Sequence, residues 1–422
     1  MQISQPRPAR GKIAVIGAGI IGACIALKLQ EEGWQVVLFE AAKIGGPQAT
    51  SYGNGAFISP ASVVPMSLPN LWKKVPGYLM DPLGPLTIRW QYLPRLAPWL
   101  LRFLWAGSNR AKVDRTAQIL SGLLHDAPER HLALAQKLGA EEMIEKSGLI
   151  YVYPDRAAFE TEALAWDLRR QNGLSWQEIE GPELHAFEPN LGRRYEFAAY
   201  VGTGAYCKDP GLWTQKIAQY AVDQGAEVLH QKVTGFTHNG ARLTAIQTAD
   251  GEIAVDGAVL ASGISSGALA KKVGDFVPLV SERGYHVQLP EATGGPSRPV
   301  MPSDGKMANT PCSRGLRASG QVELASVEAT PDWRRAEILL ANLKNTYPKL
   351  NYQQVEKWLG HRPSTPDGLP VIGRSKRLHN LLHAFGHGHI GLATAPITAE
   401  LISQILASRR PVVSLEPFAL RW

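Results

Sequence analysis

Cysteine is nearly missing from this 422-residue chain: Cys24, Cys207 and Cys312 are its only three. An odd, sparse set without C-x-x-C spacing encodes neither a disulfide framework nor a zinc site. No metal is therefore expected, and a reducing cytoplasm is the expected compartment. A dense basic run is missing as well. The formal charge of +7 comes from lysines and arginines spread along the whole sequence, so no nucleic-acid partner is expected. The most apolar run, Ile13 to Leu29, is interrupted by Gly17, Gly19 and Gly22 and is followed by no small-residue cleavage site. Neither a membrane span nor a signal peptide is expected there. Internal repeats and low-complexity tracts are not found. With 45% hydrophobic and 19% charged residues, the chain can bury a large core in two or three domains.

What is there begins with an α/β rhythm. Lys12 to Ile16 reads as a buried strand, Ile20 to Glu32 as a helix and Gln35 to Glu40 as a second strand. Gly17, Gly19 and Gly22 sit in a G-x-G-x-x-G between strand and helix, together with Ile20 and Ile21, and Glu40 ends the next strand. Gly17 permits the tight turn, Gly19 lets the backbone approach a pyrophosphate, and Gly22 lets helix and strand pack closely. The helix N-terminus adds N–H donors and a partial positive charge. Glu40 suits both hydroxyls of an adenosine ribose and would repel a 2′-phosphate, which argues against NADP. FAD and NAD share this fingerprint. The loop Gly45 to Pro60 carries Thr50, Ser51, Asn54 and Gly55 and can lie along an extended diphosphate. Near the C-terminus Gly386, Gly388 and Gly391 form a second G-x-G-x-x-G with His389, Ile390 and Leu392. A separate nicotinamide site is one reading. Pro396, expected to disrupt the early helix, and the short remaining chain favour another, in which backbone N–H groups face the electron-rich end of a flavin.

The rhythm is lost from Pro60 to about Trp105. Helices are expected at Val113 to Leu138 and Arg156 to Gln171, and a strand at Gly148 to Tyr153. The α/β pattern returns at Asp209, a helix N-cap, with strands near 227–233, 242–248 and 258–261. A β-rich excursion follows over 277–326, then a helix at Trp333 to Thr346, a strand at Leu381 to Phe385 and a helix ending near Ser408. The fold class is thus α/β: a Rossmann-like cofactor domain built from discontinuous segments, with an inserted α+β substrate domain on a mixed or antiparallel sheet. The expected division is a flexible lead-in at 1–10, a cofactor domain of 11–62, 203–275 and 355–422, and a substrate domain of 63–202 and 276–354.

Five segments carry a family resemblance: Ala14–Gly22 (AVIGAGIIG), Thr50–Pro60 (TSYGNGAFISP), Arg283–Tyr285 (RGY), Gly360–Gly373 (GHRPSTPDGLPVIG) and Gly386–Leu392 (GHGHIGL). They resemble the D-amino-acid oxidase and glycine oxidase superfamily over essentially the full length, and most closely the bacterial D-amino-acid dehydrogenases. The resemblance implies that Arg362 forks onto a substrate carboxylate and that Gly386 to Leu392 contact the flavin. It also implies that Gly263 lies in a turn beside FAD and that the Val233 backbone meets the adenine. No cysteine sits where the sarcosine-oxidase branch attaches its flavin, so noncovalent FAD is implied. The implied activity is oxidative deamination of a D-amino acid, D-proline or a hydroxy-D-proline among the candidates. It proceeds by hydride transfer from Cα to flavin N5, and electrons pass to a quinone-type acceptor. The rivals are an oxygen-using oxidase of glycine or sarcosine oxidase type and a noncatalytic flavin-binding subunit.

Read directly, Arg362 presents a planar guanidinium in a Gly/Pro-bounded segment, suited to a carboxylate. Tyr285 alternates with apolar residues in an expected strand, where core packing competes with a catalytic role. His286, His387 and His389 are candidates to assist proton removal and equally ordinary hydrogen-bonding residues. Residues 86–106 combine Trp90, Trp99 and Trp105 with Arg89, Arg95 and Arg102 and no acidic side chain. One reading is a surface that meets the cytoplasmic face of a membrane or a partner; the other is the inserted domain's own core. Pro94 and Pro98 are expected to keep this segment from forming a long helix.

Overall fold

The computed structural model describes residues 10–73, 75, 77, 84 and 86–422. Of the expected lead-in, residues 1–9 lie outside the described residues, and Arg10 already belongs to the first strand. The elements that position the site are, in chain order, β1 (Arg10–Ile16), α1 (Ile20–Glu31), β2 (Trp34–Phe39), α2 (Leu93–Ala106), α3 (Ala127–Leu138), α4 (Pro210–Asp223), β3 (Glu227–Leu229) and β4 (Gly257–Leu260). They continue with β5 (Val280–Leu289), β6 (Gly315–Leu324), β7 (Glu356–Ser364), β8 (Val371–Arg374), β9 (Leu381–Phe385) and α5 (Gly391–Leu406).

A six-stranded sheet runs β3-β2-β1-β4-β9-β8. All its pairings are parallel except β8 with β9. The chain leaves β1 toward β2 on one side and later fills β4 on the other, so a cleft opens at the carboxyl ends of β1 and β4. Helices α1, α4 and α5 bury their apolar faces against one side of this sheet.

The second sheet is nine-stranded and mixed: Val300–Pro302 runs parallel to Leu149–Tyr153, Leu86–Ile88 runs parallel to β6, and the remaining pairs are antiparallel. Strand β7 pairs with β5 through Val280↔Ser364 to Gln288↔Glu356. The expected boundary at 355 therefore falls at the entrance to a strand of the second sheet, and the chain rejoins the first sheet only at Val371.

Local corrections have local causes. The expected helix over 113–138 is two helices, Arg110–Leu124 and α3, because Pro128 has no N–H and occupies the first turn of the second. The pattern over 156–171 likewise splits, into Arg156–Glu160 and Ala163–Gln171. Asp209 caps α4 as expected, accepting from the Leu212 N–H at 3.0 Å. Pro94 and Pro98 do not prevent a helix: α2 spans 14 residues. Pro94 sits in the first turn, where no N–H is needed, and both Pro98 and Pro94, whose carbonyl it leaves free, are exposed residues.

Pro396 does not break α5 either, since the helix runs through it from Gly391 to Leu406. Its missing N–H strands the Leu392 carbonyl, and His131 on α3 takes that carbonyl through Nε2 at 2.8 Å. The Trp213 indole on α4 donates to His131 Nδ1 at 3.2 Å, which leaves Nε2 as the protonated nitrogen. His131 is wholly buried, and burial pushes its pKa down to about 4. In the unfolded chain the ordinary value is about 6.5. Below that pH the unfolded chain gains a proton that the fold refuses, so this contribution to stability is present above 6.5 and lost as pH falls toward 4. A melting series is expected to show Tm falling across that window, with a slope per histidine of up to roughly 1.4 kcal/mol per pH unit. His131→Gln keeps a donor for Leu392 but cannot titrate; its slope should be shallower by about one proton, and an unchanged slope would exclude His131 as a source.

Candidate active site

The cleft at the ends of β1 and β4 is a cavity of about 650 Å³. Its floor is the turn from β1 into α1. Gly17 has φ +97°, and a Cβ there would come within 2.6 Å of Ser262 Cα. A Cβ at Gly22 would stand 1.8 Å from the Gly17 carbonyl oxygen, so Gly22 serves the packing of helix on strand and does not line the cavity. Gly19 is different: its nearest neighbour is Ser51 Oγ at 3.4 Å, and its open side faces the cavity. Glu40 is pinned by backbone donors, Oε2 accepting from Ala18 N at 2.9 Å and Oε1 from Ala42 N at 3.2 Å.

From Glu40 and Val233 at one end, the lining passes Gly17, Gly19, Ile20 and Ile21, then Thr50, Ser51, Asn54 and Gly263, and reaches Gly386, His387, Gly388, Gly391 and Leu392 at the other. Sequence reasoning missed Gln231, Lys272, His361 and Pro363, which also line it. Lys272 ends the helix Ser266–Lys272 and donates to the Thr234 carbonyl, a position that no local motif announces. His361 was within reach, since it adjoins Arg362 in the Gly360–Gly373 segment.

The loop after β2 is tied to the second sheet. Thr50 Oγ1 donates to the His361 carbonyl at 2.7 Å, and Ser51 Oγ accepts from Ile20 N at 2.9 Å. Arg317 on β6 donates through Nη1 to the carbonyls of Tyr52 at 3.1 Å and Asn54 at 2.9 Å. His286 donates through Nδ1 to the Gly53 carbonyl at 3.1 Å and stacks on Trp358 with ring centroids 4.9 Å apart. Burial and the Arg317 charge push its pKa down to about 3. His286 thus clamps the loop and lines neither the cavity above nor the smaller one below. Gly55 also faces the second sheet, its carbonyl accepting from Thr310 Oγ1 at 2.8 Å.

Strand β5 is buried along its whole length, so its two faces must be told apart by their neighbours. Tyr285 packs with Val287, Leu289 and the helix Arg334–Thr346. Its hydroxyl donates to Glu323 Oε2 at 2.6 Å and accepts from Asp332 N at 3.0 Å, and Arg283 Nη1 approaches the same carboxylate at 3.2 Å. Burial beside Glu323 pushes the Tyr285 pKa up to about 12. The structure turns this candidate away from the cleft, into a closed ionic network on the opposite face.

The even-numbered residues of β5 face the other way. Arg362 on β7 lies over Gly284, where a Cβ would meet its Nη2 at 2.4 Å. Its Nη1 donates to the Gln321 carbonyl at 3.1 Å. That carbonyl is re-aimed by an irregularity in the β5/β6 register between Arg283 and Tyr285, with Gln321 at φ +59°. His389 is exposed to water, yet burial and the nearby Arg362 charge push its pKa down to about 4. His389 lines the smaller of two adjoining cavities. His387 is buried, its Nε2 3.1 Å from Thr398 Oγ1. Gly388 N donates to the Pro363 carbonyl at 2.9 Å, which docks the second glycine turn on the end of β7.

A smaller cavity shares Gly386, His387 and Gly388 with the large one and is lined besides by Glu282, Ser364, His389, Ile390 and Phe103. Phe103 comes from α2, whose Trp99 is buried and donates through Nε1 to the Ser364 carbonyl at 3.2 Å. One face of α2 therefore walls the site; Leu101 and Trp105, about 70% exposed, lie on the other.

These residues fit FAD. The glycine cradle has no room for a Cβ at Gly17 or Gly22, and the lining crosses the carboxyl ends of β2, β1, β4 and β9, with Glu40 after β2 and the N-terminus of α5 after β9. The three cysteines are not among the lining residues. Among the described residues, no helix is long and apolar enough to cross a membrane, and no group of three or more His, Cys, Asp or Glu could hold a metal ion.

The family described as FAD dependent oxidoreductase (DAO) matches residues 12–405. The chain is 44% identical over 411 residues to a D-amino-acid oxidase of Bradyrhizobium diazoefficiens, covering 96% of this chain and 97% of the relative. It is 30% identical over 432 residues to D-amino acid dehydrogenase 2 of Ralstonia nicotianae, covering 97% and 99%. Among solved structures, glycine oxidase from Geobacillus kaustophilus superimposes with a TM-score of 0.73 at 20% identity, covering 98% of this chain and 99% of that one. At that identity the likeness is one of fold.

Proposed function

The chain belongs to the DAO family of FAD-dependent oxidoreductases, and we propose that it oxidatively deaminates D-amino acids, with Arg362 anchoring the substrate carboxylate. One observation carries the site: the Arg362 guanidinium, on the strand position paired with the cavity-lining Glu282, is held on a backbone carbonyl and has no carboxylate oxygen within 4.0 Å among the described residues. A charged group so enclosed calls for an anion, and a planar fork suits a carboxylate. The preference for D-amino acids follows the relatives' names.

Bound noncovalently, FAD supplies the two-electron acceptor. The chain's own contribution is to anchor, orient and dehydrate. Gly17, Gly19, Ile20 and Ile21 offer the turn and helix N-terminus to the pyrophosphate, Glu40 takes the ribose hydroxyls, and Val233 meets the adenine. Thr50, Ser51, Asn54 and Gly263 flank the cofactor, and the turn from Gly386 to Leu392 meets its electron-rich end. His387 and His389 line the substrate side; Phe103 and Trp99 close it to water. An anaerobic screen of D- and L-amino acids, D-proline, hydroxy-D-proline and N-methyl amines, watching flavin bleaching, tests the reading. Bleaching by none of the D-amino acids would sink it.

Electrons then pass to a quinone-type acceptor in this reading. A second reading, with oxygen as acceptor, is favoured by the relative named an oxidase. Peroxide yield measured against dye reduction separates them.

The outward face of α2 supports a quinone at an anionic membrane surface. Arg95, Pro98, Leu101, Arg102 and Trp105 recur at helical spacing on that face, and all are exposed. Tryptophan and leucine with arginine suit the interfacial layer, each cation adding roughly 1 kcal/mol near anionic lipid. Changing Leu101 and Trp105 together to Ser is expected to reduce sedimentation with anionic vesicles about tenfold while dye-linked activity persists. Trp99→Ser, inside the wall, should instead lower Tm and dye-linked activity. Undiminished vesicle binding by the double variant removes the membrane reading.

A further inference from the structure

We propose that Glu282 receives the amino group of the substrate, holding the ammonium and taking its proton, opposite the guanidinium that holds the carboxylate. The inference rests on the reading of Arg362 as the carboxylate anchor.

Glu282 and Arg362 are direct register partners on β5 and β7, so their side chains leave the same face of the sheet from neighbouring positions. Opposite charges so placed ordinarily close into an ion pair. Here they do not, since among the described residues no carboxylate oxygen lies within 4.0 Å of Arg362. The two lean apart. Arg362 extends over Gly284 to the Gln321 carbonyl, whereas Glu282 lines the smaller cavity together with Ser364, the next residue on that face of β7. Arg362 is thus held by a backbone carbonyl and Glu282 faces the cavity, and the two do not close into an ion pair.

Glu282 is 6% exposed and lines the smaller cavity, which shares its Gly386–Gly388 wall with the flavin site. That cavity is about 30 Å³, room for a group the size of a water or an ammonium. An α-amino acid carries one charge of each sign on adjacent atoms, so a single ligand completes both. Among the described residues, the titratable groups facing Glu282 are Arg362 on β7 and His387 and His389 on the glycine turn; α2 and residues 64–66 contribute Phe103, Val64, Pro65 and Met66. Burial raises the Glu282 carboxyl, while Arg362 and the Ser364 hydrogen bond draw it back down.

Oxidation at Cα needs a neutral amine. In the proposed step an N–H bond of the ammonium breaks, its electron pair stays on nitrogen as the lone pair, and an O–H bond forms on Glu282. No oxidant enters this step.

The test uses flavin-loaded enzyme, with D-alanine, or whichever amino acid bleaches the flavin fastest, and its 2-hydroxy acid, D-lactate for D-alanine. The hydroxy acid keeps the carboxylate and lacks the nitrogen. Glu282→Gln is expected to slow anaerobic bleaching by the amino acid about 100-fold or more at pH 7. Its rate profile should move to higher pH, while the affinity for the hydroxy acid stays level or tightens. Bleaching within about threefold of the parent with an unmoved profile overturns the proposal. So does an equal loss for both ligands, which reports only a damaged pocket. If Glu282→Gln fails to retain flavin, Glu282→Asp carries the test: at least tenfold slower bleaching with unchanged hydroxy-acid affinity supports the proposal, and parity with the parent ends it. Arg362→Leu that keeps its hydroxy-acid affinity would sink the anchor and leave the Glu282 result standing, so the two failures are distinguishable.

Discussion

Replacing Arg362 with Leu is expected to lower kcat/KM by roughly 30- to 1000-fold, the equivalent of about 2 to 4 kcal/mol in transition-state binding. The loss has two parts: at least one charge-assisted hydrogen bond disappears, and the substrate carboxylate is left in a cleft that Trp99 and Phe103 wall off from water. FAD content should be unchanged, because Arg362 is not among the residues lining the flavin cavity. Arg362→Lys keeps the charge but loses the fork that bonds Gln321 and a ligand together, so an intermediate loss is expected. Steady-state kinetics on folded, flavin-loaded variants check both. Unaltered efficiency in Arg362→Leu would remove this residue from the site.

The second large effect concerns the glycine turn, where two substitutions should behave differently. Gly17→Val adds a side chain at φ +97° and within 2.6 Å of Ser262 Cα, so it should cost both fold stability and flavin. Gly19→Val meets little within the protein, where only Ser51 Oγ lies near, at 3.4 Å. Its side chain points instead into the cavity that a pyrophosphate would occupy. The apoprotein's Tm should hold to within a few degrees while FAD affinity falls about 1000-fold or more, roughly 4 kcal/mol. Flavin retention after gel filtration, read beside apoprotein melting, separates the two. A yellow Gly19→Val protein would contradict the assignment of this turn to the diphosphate.

The fingerprint from Gly17 to Glu40 was legible because every part of it is local: a buried strand, a turn that only glycine allows, a helix and the end of the next strand. The Asp209 cap and the strand Leu381–Phe385 were legible for the same reason. Tyr285 was not, because every residue of β5 is buried and alternation alone cannot say which face meets the cleft. Arg317, Glu282 and the Gln321 carbonyl depend on how distant strands align, and register is invisible in one sequence. The prolines misled for a specific physical reason. A missing N–H matters only if the carbonyl it abandons is left alone; Pro98 lies on the exposed side of its helix, and at Pro396 the His131 side chain takes up that carbonyl.

The position of β1 at the centre of the first sheet bears on how the protein is made. Its partner β4 pairs Ile13 with Gly257, so the strand emerges from the ribosome long before the neighbour that will cover its second edge. At roughly 5 to 20 residues per second, the wait after β2 is on the order of ten to forty seconds. Through that interval an apolar strand edge stands open to other nascent chains. Flavin cannot shield it, because the turn from Gly386 to Leu392 is synthesised later still. The order of the strands thus leaves that edge unpaired through most of synthesis and completes the lining of the flavin cavity only near its end.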